Sequence, residues 1–245
     1  MKVFAINSSP LMAKGNTAVI LNPFLDGMKE AGAEVELFYT KKLKIKPCQG
    51  EFNCWLKTPG VCFQRDDMDI LRPKLDEADV WVLATPVYVD GMSGPLKNFL
   101  DRIIPGAQPF FELRNGHIRH PASGTRKPRK MVLVSNCGFW ELDNFDPLVV
   151  HVKAICKNTN MEFAGALLRP HGPAMRPMLE MGGLVEDVIE AARDAGRQLV
   201  RNGKISPQTL STVSRELMPL EEYFQQANLN FQLAIDTNKA KAKAA

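Results

Sequence analysis

The opening stretch of the chain constrains its fold more than any other: MKVFAI is an apolar run fit for a buried strand, NSSPLMAKGNT a hydroxyl-rich loop, and AVIL the start of a helical pattern. A strand that empties through such a loop into a helix gathers backbone N–H groups and the positive end of a helix dipole around one point, which suits a phosphate. The loop does not read G-x-x-x-x-G-K-[ST]. Lys14 precedes Gly15 and Asn16 follows it, so no lysine is placed to reach β and γ phosphates. Nor is G-x-G-x-x-G present, because Gly15 is the only glycine before Gly27, and a pyrophosphate needs a closer backbone approach at this turn. What remains is the hydroxyls of Ser8, Ser9 and Thr17, the amide of Asn16 and the backbone, a set suited to one terminal monophosphate held largely by neutral donors. Asn16 and Thr17 are also common N-cap residue types, and a plain helix cap is the competing reading.

Beyond this turn, short apolar runs alternate with amphipathic stretches, the pattern of parallel strands joined by crossover helices. Strands are expected at 1–6 (MKVFAI), 34–39, 80–85 (VWVLAT), 131–135 (MVLVS) and 163–168 (FAGALL), the last three buried on both faces. Helices are expected at 16–31, with a kink at Pro23 and a stop at Gly32, and at 68–76, 95–102, 146–158 and 184–202, the last closed by Asn202 and Gly203. The fold class is therefore α/β, a doubly wound five-stranded parallel sheet with helices on both faces. With 245 residues, 45% of them hydrophobic and 24% charged, the chain suits one large domain, 1–205, followed by a helical extension, 206–245.

Ligands of such sheets lie outside the carboxyl ends of the strands, which directs attention to the loops after Ile6, Thr85 and Ser135. The second reads TPVYVDGMSGPLKNFLDR, with Gly91 and Gly94 allowing tight turns and Tyr88 and Met92 offering a flat aromatic and a polarisable surface. The third, SNCGFWELDNFD, combines Asn136 and Gly138 with Phe139 and Trp140. A phosphate cradle facing two loops with aromatic surface and free amides meets the needs of flavin mononucleotide (FMN). Core or interface packing is the alternative role for Tyr88, Phe139 and Trp140.

Taken together, NSSPLMAKGNT, KIKPCQGEFNCWLKTPGVCFQRDDM and ADVWVLATPVYVDGMSGPLKNFLDR resemble the flavodoxin-fold NADPH-dependent FMN reductases and their relatives, the iron–sulfur flavoproteins, over about the first hundred residues. The resemblance implies that the FMN phosphate lies on Ser9, Asn16 and Thr17. It implies that the isoalloxazine lies against Pro86, Val87, Tyr88, Met92, Ser93 and Gly94, with Asn136 and Gly138 completing the pocket. Two departures stand out. Ser8 replaces a usual glycine, and the loop carries about one extra residue before Gly15. The implied activity is that of an FMN-dependent oxidoreductase, which passes hydride from NADPH or NADH to FMN and then to a small acceptor: a quinone, nitro or azo compound, flavin or ferric species. The flavin bears the chemistry, so no side chain need act as nucleophile or base. Trp140, Phe110 and His120 are expected to shape the acceptor pocket. A flavodoxin-type electron carrier is the alternative, disfavoured by the mild net charge of +4 and the extra length. An iron–sulfur flavoprotein fed by ferredoxin is another.

That last alternative rests on Cys48, Cys54 and Cys62. The relatives' cluster motif reads C-x2-C-x2-C, but here Glu51 stands at its second position, and a cubane cluster normally takes four thiolates. Reduced structural cysteines are the preferred reading, and zinc lacks paired C-x2-C hooks. Five cysteines and no leader or membrane-length apolar run point to a cytoplasmic protein with thiols rather than disulfides. Asp66 and Asp67 are expected to cap the second helix. The basic groups at 126–130 and 239–243 read as a solvated loop and a frayed tail, without the stacking motifs of a nucleic-acid binder. The stretch 103–130 is long for a connection and reads as an inserted loop or lid; His117 and His120 within it make a weak metal pair. In the extension, Leu217, Leu220, Phe224, Ala227 and Phe231 recur at helical spacing. That stripe is expected to pack across a subunit boundary of a homodimer or homotetramer.

Overall fold

The apolar runs pair as expected, and the reason is visible in their neighbours. The computed structural model describes residues 1–124, 127–182 and 185–244. In chain order it contains β1 (Lys2–Asn7), α1 (Asn16–Glu30), β2 (Glu34–Tyr39), α2 (Asn53–Leu56), α3 (Met68–Glu77), β3 (Val80–Tyr88), β4 (Gly91–Met92), α4 (Gly94–Asp101) and β5 (Glu112–Arg114). There follow β6 (His117–Arg119), β7 (Lys130–Asn136), α5 (Asp146–Thr159), β8 (Glu162–Arg169), α6 (Met175–Glu180), α7 (Glu186–Asn202), α8 (Pro207–Ser214) and α9 (Leu220–Ala244). The main sheet has the order β2-β1-β3-β7-β8, all parallel, with the short β4 folded back antiparallel on the end of β3. This is the flavodoxin-like order, whose switch point lies between β1 and β3.

Alternate residues of each central strand enter opposite layers. Ala5, Val82, Ala84, Val132 and Val134 pack beneath α1 and α7, while Phe4, Ile6, Trp81, Leu83, Met131 and Leu133 pack against α3, α4 and α5. Burial on both faces is why these strands read as unbroken apolar runs. The run at 163–168 departs from that expectation: β8 is an edge strand, and most of its residues are only half-buried. Helix α1 continues through Pro23, which is buried. Leu184, the predicted start of the last long helix, lies outside the described residues; α7 runs from Glu186 and closes at Gly203, whose φ is 71°.

Two charged stretches also differ from their sequence reading. Arg126 lies outside the described residues, but the rest of its group is tied to the body. Arg129 is buried 5.0 Å from the Trp81 ring centre, while Lys127 and Lys130 pair with Asp79 and Glu162. The lysines of the C-terminal tail sit on α9, a helix reaching Ala244. Among the described residues no helix is long and apolar enough to cross a membrane.

Helix α1 lies against α7 with no side chain between them at two points. A Cβ on Gly27 would stand 1.8 Å from the carbonyl oxygen of Arg193, and one on Gly196 would stand 2.1 Å from that of Phe24. The contact fixes the height of α1, and hence of its N-terminus, over the sheet. Gly196→Ala is therefore expected to cost about 1 to 3 kcal/mol, the range for forced overpacking, read as a lower urea midpoint with an unchanged slope. A variant as stable as the parent would contradict this account of the helix pair.

Candidate functional site

The turn leaving β1 is built by its own side chains. Buried Asn7 accepts the Ser9 N–H at 2.9 Å through Oδ1, and its Nδ2 is buried without a partner. Ser8 donates from both N and Oγ to the carbonyl of Ala84, at 2.8 and 3.1 Å, and its Oγ accepts from Ser93 Oγ at 2.8 Å. The serine found in place of a glycine is thus a brace joining the exits of β1 and β3. Met12 holds a left-handed φ of 50°, a conformation that concentrates at functional turns. Ser9 is buried with its hydroxyl 2.3 Å from where a Cβ on Gly15 would lie, so a side chain at position 15 would have to displace that hydroxyl.

Helix α1 then starts without a side-chain cap: Gly15 is its N-cap, and Asn16 and Thr17 are its first two helical residues. The plain-cap reading of Asn16 and Thr17 is thereby corrected. Thr17 Oγ1 instead donates to Asn136 Oδ1 at 2.5 Å, across 119 positions of sequence, and ties the first turn of α1 to the end of β7. Helix N-termini leave N–H groups without intrahelical partners and carry partial positive charge. Arg176, at the start of α6, adds a full charge. Its guanidinium donates to the Gly15 carbonyl at 3.4 Å, and its buried Nε has no partner. The turn thus has a cation beside it that the loop sequence alone did not show.

At the exit of β3, Pro86 is buried, Val87 half-buried and Tyr88 52% exposed. A two-residue turn follows with φ of 48° at Val89 and 58° at Asp90, and Met92 pairs back on Val87. Val89 is a β-branched residue in the left-handed region and almost wholly exposed, a local strain at this loop. Ser93 is buried, its N–H donating to Thr85 Oγ1 at 3.0 Å. Gly94 and Gly138 both face open space, with no atom within 4 Å of where a Cβ would stand. Asn136 is buried, whereas Phe139 is exposed. The structure thus joins Thr17 directly to Asn136 and Ser93 to the β1 turn. Ser9 and Asn16 belong to that same turn and helix start, and Tyr88 and Gly138 stand at the neighbouring strand ends.

A fourth strand exit contributes residues that the sequence reading passed over. After β8, buried Arg169 donates to the carbonyls of Pro170 and Val213 at 2.9 and 2.7 Å and also to that of Arg215, clamping the C-terminal end of α8. Next to it His171, with φ 39°, is fully buried between the rings of Trp140 and Tyr223. Backbone bonds from His171 to Phe139 (2.6 Å) and from Gly172 to Cys137 (2.9 Å) zip this turn onto the β7 exit. Tyr223 Oη donates to the Gly138 carbonyl at 2.5 Å, so the start of α9 holds the same loop. The signal available was RPHGP, two prolines and a glycine directly after an apolar run.

The expected acceptor-pocket trio separates within one chain. Trp140 belongs to the His171 group, while His120 accompanies Phe110, bonding its carbonyl at 3.0 Å, and lies against Trp55 and Phe111. His117 is exposed on β6. Cys48, Cys54 and Cys62 line, with Glu51 and Arg102, one cavity of about 10 Å³, room for little more than a water. Burial, reinforced by Cys62, Glu51 and Cys48, pushes the Cys54 thiol up. Among the described residues no three His, Cys, Asp or Glu side chains converge to hold a metal ion, and three thiols with a carboxylate do not fit a four-thiolate cluster. Beside them Asp66 does more than cap α3. It accepts the Met68 and Lys46 N–H groups, both at 3.0 Å, and forms a buried ion pair with Arg102 at 2.7 Å. Burial raises its pKa, but Arg102 and those N–H groups outweigh it and hold the carboxyl below the usual range.

Residues 1–116 match the family described as NADPH-dependent FMN reductase. An iron–sulfur flavoprotein of Archaeoglobus fulgidus is 35% identical over 132 residues, which cover 54% of this chain and 59% of that protein. One from Methanocaldococcus jannaschii is 37% identical over 115 residues, covering 47% and 58%. The chain thus spans somewhat over half the length of these curated relatives. Among solved structures, an FMN-dependent NADH-azoreductase from Bacillus anthracis superposes with a TM-score of 0.56 at 16% identity, covering 79% of this chain and 98% of that one. An NAD(P)H:quinone oxidoreductase from Methanothermobacter marburgensis does so at 0.56 and 18%, covering 81% and 96%. At such identities the likeness is one of fold.

His171 makes the packing of this region pH-sensitive. Burial, with help from the Arg169 charge, pushes its pKa down to about 4 from the ordinary 6.5. The folded state holds the ring neutral while the unfolded chain protonates it, so its contribution is complete above pH 6.5 and is lost as pH falls toward 4. The unfolding free energy is expected to drop by about 2 to 3 kcal/mol across that window, and His171→Gln to flatten the drop. Equal slopes in parent and variant would contradict it.

Proposed function

We propose that the chain is an FMN-dependent oxidoreductase that draws hydride from NADPH or NADH and delivers electrons to a small acceptor such as a quinone, nitro or azo compound, flavin or ferric species. The observation that carries this reading is the Thr17–Asn136 hydrogen bond. It spans the sheet's switch point and sets an uncapped helix N-terminus beside a second strand exit whose backbone is open at Gly138. The family match over residues 1–116 supports it.

Under this reading Ser9, Asn16, Thr17 and the N–H groups of the first turn of α1 receive the phosphate, and Arg176 balances its charge. Pro86, Val87, Tyr88, Met92, Ser93 and Gly94 would lie against the flavin ring, and Asn136 and Gly138 would complete its pocket. When bound, FMN supplies the exchange of hydride with the nicotinamide and of electrons with the acceptor. The protein's part is positional. The Ser8–Ser93 brace keeps two exits in register, Gly94 and Gly138 leave the backbone approachable, and Tyr88 and Phe139 offer flat surface at the open side. No side chain in this group is required as nucleophile or base. All five cysteines are free, which suits action in the reducing cytoplasm.

Anaerobic stopped-flow separates this enzyme from a carrier. Bleaching of the bound flavin by NADPH or NADH alone is the expected result; bleaching only through a partner protein would overturn it. Thr17→Ala, which removes the hydrogen bond holding Asn136 to the helix start, is expected to weaken FMN binding about tenfold and to lower the thermal midpoint by a few degrees. Unaltered FMN affinity would remove Thr17 from the cradle.

A further inference from the structure

A cavity of about 840 Å³ opens at the end of the sheet opposite the β1–α1 turn. Trp81, the second residue of β3, and Asn160, which shortly precedes β8, both line it, so it lies by the amino ends of the strands. None of its lining residues belongs to the candidate flavin site. Residues 103–124 of the long connection supply much of its wall. Small-molecule pockets span about 300 to 1,000 Å³, and this one has room for a body of one or two fused rings.

The aromatic part of the wall is a ladder. Phe52 stacks on Trp55 with ring centres 5.3 Å apart, Trp55 meets His120 at 4.8 Å, and His120 meets Phe111 at 5.2 Å. Trp55 is fixed by its Nε1 bond to the Ile104 carbonyl at 3.1 Å, and His120 by the Phe110 carbonyl. Phe52, at one end of the ladder, lines the cavity and stays 44% exposed. A planar ring is the shape such a wall receives best, because paired rings gain beyond the area they bury.

Charge narrows the ligand further. The charged lining side chains besides His120 are Arg72, Asp101, Glu112, Arg114 and Arg119. Arg72 pairs with Asp76, Asp101 with Lys97 and Glu112 with Arg114. Arg119, half-buried on β6, has no carboxylate partner among the described residues; its guanidinium donates to the Ile118 carbonyl at 2.7 Å. Glu112 stands opposite it in the hairpin register but is held by Arg114. The wall therefore carries one positive charge in excess. A single negative charge balances it, whereas a dianion would meet Asp101 and Glu112 across the same space. We propose that this cavity binds a planar aromatic monocarboxylate, its ring against Phe52, Trp55 and His120 and its carboxylate on Arg119.

The test is isothermal titration of the full chain with 2-naphthoate and, as the uncharged comparison, 2-naphthalenemethanol. The acid is expected to bind about tenfold more tightly than the alcohol, the worth of one charge-assisted hydrogen bond. Arg119→Met is expected to remove that preference while leaving the alcohol's affinity and the thermal midpoint as in the parent, and Arg119→Lys to keep most of it. Phe52→Ala is expected to weaken acid and alcohol alike by about threefold, one ring contact being lost. Saturating FMN is expected to leave the naphthoate titration unchanged. No saturable binding of 2-naphthoate by about 1 mM, equal affinities for acid and alcohol, an Arg119→Met protein that keeps the preference, or displacement by FMN would each overturn the proposal.

Discussion

Everything at the working edge of this sheet follows from where one helix begins. The first turn of α1 carries no side-chain cap, and its threonine bonds to an asparagine 119 positions away rather than to its own helix. A cap would have satisfied that terminus locally; its absence leaves the first-turn N–H groups and the positive end of the helix dipole without a side-chain acceptor from the helix itself. The height of that terminus is fixed from behind, where Gly27 and Gly196 let α1 settle on α7. Its lateral position is fixed in front by the serine brace to β3.

The β7 exit is held with comparable care from the other side. Backbone bonds from His171 and Gly172, the Tyr223 hydroxyl and the Arg169 clamp on α8 converge on one short loop. Arg169 has no carboxylate partner in that clamp. It ends a helix by serving its last carbonyls, an arrangement that favours a cation at a helix C-terminus. The loop facing the anion cradle is thus tied to α6, α8 and α9, segments beyond the family match at residues 1–116. The second half of the chain braces a candidate site whose first half carries the recognisable motifs.

The legible part of this protein was the part whose physics is local or periodic. Buried parallel strands write unbroken apolar runs, so β1, β3 and β7 could be placed within a few residues, and a strand followed by NSSPLMAKGNT announced the turn. β8 was misjudged because an apolar run says nothing about which strand ends at the sheet edge; that depends on order. Thr17 and Asn16 were ambiguous between cap and cradle because both roles use the same residue types; what excludes the cap is that Thr17 bonds to the distant Asn136, a partner no local pattern records. Arg129 looked solvated in a basic cluster, yet it lies buried beside Trp81. Arg169, His171, Arg176 and Tyr223 went unread since each acts on backbone far away in sequence, which no local pattern records.

The central claim is that the β1–α1 turn grips a phosphate. Isothermal titration of the flavin-free protein with FMN and with riboflavin, which differ only in that group, tests it most directly. FMN is predicted to bind at least about a hundredfold more tightly, since several charge-assisted hydrogen bonds are at stake. Equal affinities, or no binding of FMN, would contradict the account.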